Sequence, residues 1–218
     1  MELKQQALAL YKTVFYEDSA DFAEVFTNKY FEKNCLYTLK DGKMVAMLYL
    51  LDCLVFDDEK TSGAKYLYAA ATHPEYRKRG LMSNLMKKAL AENEIIITKP
   101  ANKELFPFYE KFGFTVCAFK DKKELKAMGS PITAEEYINY RDKLLGNVPH
   151  ITLADEEFSL NGLQLYGNSD FVAALDPDDN SVKEYINKNE NPLNDKTPFA
   201  MWNKKVQSER LYFGIAMD

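Results

Sequence analysis

The sequence predicts an α/β protein, and three observations carry that expectation. Two stretches with apolar residues at helical spacing open the chain. An Asp-Gly pair then joins two strand-like runs, the signature of a tight hairpin. From Lys65 to Phe119 strands and helices alternate, as expected where a helix crosses between strands of one sheet. With 218 residues, 46% hydrophobic and 28% charged, the chain can fill the core of one large domain, or of a domain with an appendage. Its net charge of −5 argues against a nucleic-acid groove and suits either a cationic partner or plain solubility. Cys35, Cys53 and Cys117 are odd in number and far apart, which fits a reducing cytoplasm better than a disulfide framework or a zinc site. His73 and His150 are the only histidines, so neither a Ser–His–Asp centre nor a His-rich metal site is expected. No leader pattern and no apolar run of about 18 residues occurs, so no membrane span is expected.

Taken in order, residues 3 to 15 place Leu3, Ala7, Leu10, Tyr11 and Val14 on one helix face. Asp18 or Ser19 caps a second helix with Phe22, Val25, Phe26 and Tyr30 on one side. Cys35–Lys40, Asp41-Gly42 and Met44–Phe56 read as a hairpin, whose second strand is apolar enough to be covered on both faces. Asp52 interrupts that strand. It is either a buried carboxylate with a raised pKa or a bulge open to water. The polar stretch Asp57–Gly63 reads as a loop. Lys65–Thr72 is the next strand, ending or splaying at His73-Pro74 because proline has no amide to donate.

Around Gly80 the chain passes from a basic turn into a helix with Leu81, Leu85, Met86 and Leu90 at helical spacing. The first amides of a helix lack intrahelical partners and its dipole favours negative charge, so this turn is an anion site. Arg77, Lys78 and Arg79 stand at its mouth, and the expected guest is a phosphate or pyrophosphate. Glu94–Thr98 is a short strand, and Thr115–Phe119 is another. Beyond them, Thr133–Gly146 reads as a capped helix, Asn161-Gly162 as a hairpin turn and Ser181–Asn187 as a short helix. Pro198–Trp202 and Leu211–Met217 are strand-like, and the aromatic-rich last run offers an edge for a homodimer. No flexible linker separates this half, so it is expected to pack on the first.

The turn Arg77-Lys78-Arg79-Gly80-Leu81-Met82, within HPEYRKRGL, resembles the Arg/Gln-x-x-Gly-x-Gly/Ala signature of the GNAT superfamily of N-acetyltransferases. Met82 departs from the small residue usual at the last position, although its backbone amide can still donate. Asn102 to Phe114 resembles a later segment of the same family, N-x6-Y-E-K-x-G-F, and the two motifs come in the family's order. The resemblance covers about Leu3 to Phe119. It implies a mixed central sheet flanked by helices over residues 1–120, with residues 121–218 an α+β extension on the acceptor side. It also implies acetyl-CoA as the acyl donor and CoA as product, with no metal. The loop amides from Arg77 to Met82 would cradle the pyrophosphate, Ala70, Ala71 and Thr72 would pair with the pantetheine arm, and Asn102 would bond the same arm. Phe15 and Asp18 fall in the connection that lines the acceptor opening in that family; their plain alternatives are core packing and helix capping. The long C-terminal half is similar to the enhanced-intracellular-survival branch, in which a terminal carboxylate reaches the active site, and so points to Asp218.

Transfer of an acyl group from a thioester to an amine needs a base for the amine, donors for the carbonyl oxygen and an acid for the departing thiolate. Tyr109 matches the family's acid, and a tyrosine with an ordinary pKa near ~10 holds its proton at neutral pH. The alternative is a packing tyrosine among Phe106, Phe108 and Phe112. A backbone amide around Ala70 or Ala71 is the oxyanion donor. No residue reads as an activated nucleophile, Cys117 included, so direct attack by a small-molecule or protein amine is expected. Two other classes fit less of the sequence: a CoA-binding regulatory module with a closed acceptor site, and a general nucleotide binder. The latter lacks a GxxxxGK[ST] string.

Overall fold

The computed structural model describes residues 2–57, 60–120, 149–156, 197–204 and 212–215. They form two compact units, Met1–Leu51 with Lys65–Thr98, and Asp52–Ala64 with Lys99–Asp218. The helices expected over Thr133–Gly146 and Ser181–Asn187 and the turn at Asn161-Gly162 lie outside the described residues.

The first unit opens with helix α1 (Leu3–Val14), which buries Ala7, Leu10 and Tyr11 as its spacing predicts. Helix α2 (Ala20–Asn34) starts at Ser19, whose hydroxyl accepts from the Phe22 amide at 3.1 Å. Ser19 is therefore the cap, and Asp18 is left for another partner. Phe22, Phe26 and Tyr30 are buried on α2, but Val25 is turned out and 44% exposed. Phe26 is fully buried, with ring centroids 5.7 Å from Tyr11, 4.8 Å from Tyr49 and 5.1 Å from Tyr68.

Strand β1 (Cys35–Lys40) and strand β2 (Lys43–Asp57) pair antiparallel in the register Cys35↔Tyr49 to Lys40↔Lys43. Asp41 and Gly42 take φ values of +50° and +74°, the left-handed pair that a two-residue turn requires. The side chain of Gln6 on α1 clamps this turn. Its Nε2 donates to the Gly42 carbonyl at 3.2 Å, and its Oε1 accepts from the Met44 amide at 2.8 Å.

Strand β3 (Lys60–Thr72) lies between β2 and strand β4 (Ile96–Thr98), and its pairing with β4 is parallel. Antiparallel and parallel pairs in one sheet make it mixed, and helices flank it. β3 begins earlier than its sequence suggests: Lys60 to Gly63 were expected in a loop, yet they are strand, because the neighbouring β2 extends to Asp57 and offers them a ladder.

The register between β3 and β4 runs from Lys65↔Ile96 to Leu67↔Thr98 and stops there. Pro100 ends β4, since it lacks an amide and restricts Lys99. Two residues past Leu67, Ala69 takes φ +47°, a left-handed conformation in mid-strand. On the other side β3 holds on further, for the His73 amide still donates to the Val45 carbonyl at 2.9 Å. β3 itself ends at Thr72, at the expected His73-Pro74 break, while its pairing with β4 ends earlier, at Leu67, just before the left-handed Ala69. Helix α3 (Leu81–Glu92) follows and buries Leu85, Met86 and Ala89.

In the second unit, strand β6 (His150–Leu153) pairs antiparallel with the distal part of β2, from Cys53↔Leu153 to Phe56↔His150. Strand β8 (Tyr212–Phe213) runs parallel to β6. Strand β5 (Thr115–Lys120) pairs antiparallel with strand β7 (Thr197–Trp202), with Trp202 opposite Thr115. His150 is buried against Phe56, their rings stacked at 4.6 Å. Asp52 is exposed on β2, in agreement with the water-accessible reading. Among the described residues no helix is long and apolar enough to cross a membrane.

The turn at Ala69 yields a prediction opposite to strand propensity. Valine is the better strand former, but a β-branched side chain at positive φ is strained. Ala69→Val should therefore cost about 1–3 kcal/mol in urea unfolding followed by far-ultraviolet circular dichroism. An unchanged or raised midpoint would mean that β3 is regular there.

Candidate functional site

The first unit builds a basic loop on the open end of β3. Because β4 stops pairing at Leu67, Ala70, Ala71 and Thr72 extend past its last partner. A single 3-10 turn, Pro74–Tyr76, comes next, with Pro74 at its first position, where the missing amide costs nothing. His73 Nδ1 accepts from the Glu75 amide at 3.4 Å and starts the turn. Two arginines brace it from inside: Arg77 Nε donates to the Thr72 carbonyl at 3.2 Å, and Arg79 Nη2 to the Glu75 carbonyl at 2.9 Å. Lys78 and Gly80 both have positive φ, +59° and +76°, which reverses the chain twice within three residues.

Gly80 is the N-cap of α3 and carries no capping side chain. The first helical bond runs from the Asn84 amide to the Gly80 carbonyl at 3.0 Å. The amides of Leu81, Met82 and Ser83 precede it and point out of the helix end. A Cβ at Gly80 would meet nothing within 4 Å, so glycine is there for the backbone angle and not for space. Uncapped amides, a helix dipole and exposed Arg77, Lys78 and Arg79 make this end of α3 electropositive. The sequence names these groups, which are adjacent in the chain. It missed Tyr76 and Lys40. The Tyr76 ring has Arg79 at 5.1 Å and Lys40 at 5.6 Å from its centroid, and Lys40 comes from the far-off β1.

Phe15 and Asp18, expected at an acceptor opening, meet on Tyr11 in the same unit. Tyr11 is fully buried and its hydroxyl donates to Asp18 Oδ2 at 2.6 Å, while Asp18 itself is exposed. Burial above all, then Tyr68 and Asp18, pushes the Tyr11 pKa far up, so this hydroxyl stays a donor. Phe15 is half-buried with its ring 4.8 Å from that of Tyr11. Both residues thus fix the connection between α1 and α2.

Asn102 and Tyr109 belong to the second unit. Asn102 Oδ1 accepts from the Glu104 amide at 3.1 Å and caps a 3-10 turn, Lys103–Leu105. Tyr109 is buried on the short helix α4 (Phe106–Glu110), between Phe108 at 5.3 Å and Phe114 at 5.7 Å. Gly113, at φ +82°, ends that segment. Burial also pushes the thiol of Cys117 far up and that of Cys35 up to about 12, which keeps both protonated near neutral pH. Among the described residues no group of three or more His, Cys, Asp or Glu side chains is arranged to hold a metal ion. Asp218 lies outside the described residues.

A family model described as an acetyltransferase (GNAT) domain matches residues 2–117, more than half of the chain. The protein belongs to the GNAT family. Its fold is similar to that of a GCN5-related N-acetyltransferase from Kribbella flavida, with 14% identity over 91% of this chain and 68% of that one and a TM-score of 0.53. It is similar as well to a conserved protein of unknown function from Enterococcus faecalis V583, described as a probable N-acyltransferase. There the identity is 16% over 68% of this chain, with a TM-score of 0.52, and the chain spans 43% of that protein's length. No curated protein matches the chain in sequence.

The buried hydroxyl of Tyr11 yields a test of what Asp18 does for the fold. Asp18→Ala removes the acceptor at 2.6 Å, leaving Tyr68 as the remaining polar neighbour of that hydroxyl, and should cost about 1 kcal/mol, whereas Asp18→Asn, which keeps an oxygen, should lose less. Equal stability of Asp18→Ala and the unaltered protein in urea would show that the bond does not hold the connection.

Proposed function

We propose that the protein is an N-acetyltransferase that moves the acetyl group of acetyl-CoA directly to an amine. Membership of the GNAT family supports this reading, and one observation carries it: an open strand end runs straight into an uncapped, basic helix N-terminus. The amides of Gly80 to Met82 and the charge of Arg77, Lys78 and Arg79 hold the pyrophosphate of the donor. Backbone groups of Ala70 to Thr72, left without β4, pair with its pantetheine arm, and Asn102 supports the same arm. An amide at Ala70 or Ala71 donates to the carbonyl oxygen as negative charge develops there. The acceptor amine attacks the thioester carbon, a C–N bond forms as the C–S bond breaks, Tyr109 gives its proton to the departing sulfur, and the proton shed by the nitrogen passes to solvent, from which Tyr109 is reprotonated. The connection carrying Phe15 and Asp18 shapes the acceptor side, and the acceptor is a small-molecule or protein amine.

Calorimetric titration with acetyl-CoA tests the donor site. The unaltered protein should bind, and the Arg79→Glu, Gly80→Asp double variant should not. Absence of binding by the unaltered protein would overturn the proposal. Tyr109→Phe tests the acid: thiol release with an accepted amine should slow by about 10²- to 10⁴-fold while acetyl-CoA still binds. Full turnover in that variant would remove Tyr109 from the chemistry, and binding without transfer to any amine would favour a CoA-binding regulatory module.

A further inference from the structure

The pyrophosphate site accounts for Arg77, Lys78, Arg79 and the α3 amides, but not for Lys40. This lysine is the last residue of β1, next to the Asp41-Gly42 turn that Gln6 clamps with both of its amide atoms. Its backbone is therefore held in place. Its Nζ lies 5.6 Å from the Tyr76 ring centroid, and Arg79 lies 5.1 Å from the same point. The two cations are at most about one Debye length apart at ~0.1 M salt, or ~10 Å, and repel each other. Arg77 and Lys78 add charge beside them. None of the four is ion-paired with a carboxylate among the described residues, although the protein as a whole carries −5. Tyr76 eases the crowding through its ring face, and His73 meets that ring edge-on at 5.7 Å. Four cations without a carboxylate partner among the described residues, around an uncapped helix end, exceed what one pyrophosphate neutralises.

We propose that Lys40, seated on Tyr76 beside Arg79, binds a second anionic group of the donor, a phosphomonoester. The inference rests on the acetyl-CoA reading, because in that molecule the phosphomonoester is the 3′-phosphate of the ribose, which carries close to two charges at neutral pH. A cation supplied from outside the loop makes the site selective. It favours the free CoA thioester over acyl groups carried on a phosphopantetheine arm that ends without that phosphate. Lys40 is thus a specificity-determining residue that sequence motifs do not reveal, since it reaches the loop only through the pairing of β1 with β2.

The test is a four-way titration. Acetyl-CoA and acetyl-3′-dephospho-CoA are each titrated into the unaltered protein and into Lys40→Gln, with Lys40→Arg as the charge-keeping control. Lys40 is exposed, so neither change should disturb folding. The unaltered protein should bind acetyl-CoA about tenfold tighter than the dephospho compound. Lys40→Gln should weaken acetyl-CoA by about the same factor and leave the dephospho compound unchanged, and Lys40→Arg should restore the difference. Equal weakening of both compounds, or of neither, overturns the role given to Lys40. Equal binding of both by the unaltered protein overturns it too, while the acetyl-CoA reading survives. Binding of neither compound by the unaltered protein sinks both.

Discussion

Everything at the proposed donor site depends on one constraint on β3, which leaves one neighbour without leaving the other. Its pairing with β4 ends at Leu67, yet the His73 amide remains bonded to β2 at Val45. The two edges of a strand pair independently, and β4, only Ile96–Thr98, ends while β2 continues. The left-handed turn at Ala69 changes the direction in which the following amides and carbonyls point, and Pro100 ensures that β4 does not follow. The backbone from Ala70 to Thr72 is thereby presented as an edge, and the loop after it is delivered to the N-terminus of α3. Natural proteins usually hide such edges, so one without a strand partner among the described residues, beside a basic helix end, is informative.

The support for that edge is aromatic. Phe26 touches Tyr11 on α1, Tyr49 on β2 and Tyr68 on β3, so a single ring from α2 joins a helix and two strands. Pairs of this kind contribute about 0.5–1.5 kcal/mol each beyond the area they bury. Tyr68 immediately precedes Ala69, so the packing of α2 reaches the place where β3 turns. Tyr11 ties in the connection between the helices through Asp18. The β3 edge and the connection between α1 and α2 therefore share one packed cluster within the first unit.

Local chemistry was legible in the sequence and long-range consequences were not. Asp41-Gly42 announces its turn because few residue pairs accept two positive φ angles, and Ser19 announces α2 because its hydroxyl reaches its own helix. The loop from Arg77 to Met82 is legible for the same reason: glycine, charge and helix start are adjacent in the chain. Ala69 gives no signal, since three alanines in a row look alike and only the departure from β4 distinguishes one of them. Lys60 to Gly63 read as a loop by composition but become strand because β2 runs alongside. Asp18 invites a capping assignment, and only the folded chain shows that its partner is Tyr11. Lys40 and Tyr76 are separated by two strands, and no spacing rule connects them.

The position of Trp202 has a consequence for how this protein can be watched. It is the sole tryptophan, buried on β7 opposite Thr115, in the second unit. The first unit, with the donor loop and the aromatic cluster, emits through tyrosines such as Tyr11, Tyr49 and Tyr66. Intrinsic tryptophan fluorescence is therefore a local probe, silent about fraying of β3 or loss of the Phe26 cluster. If the two units lose structure at different denaturant concentrations, tryptophan emission and the backbone signal will give different midpoints. The chain thus contains its own test of cooperativity, read by comparing two colours of light from one sample.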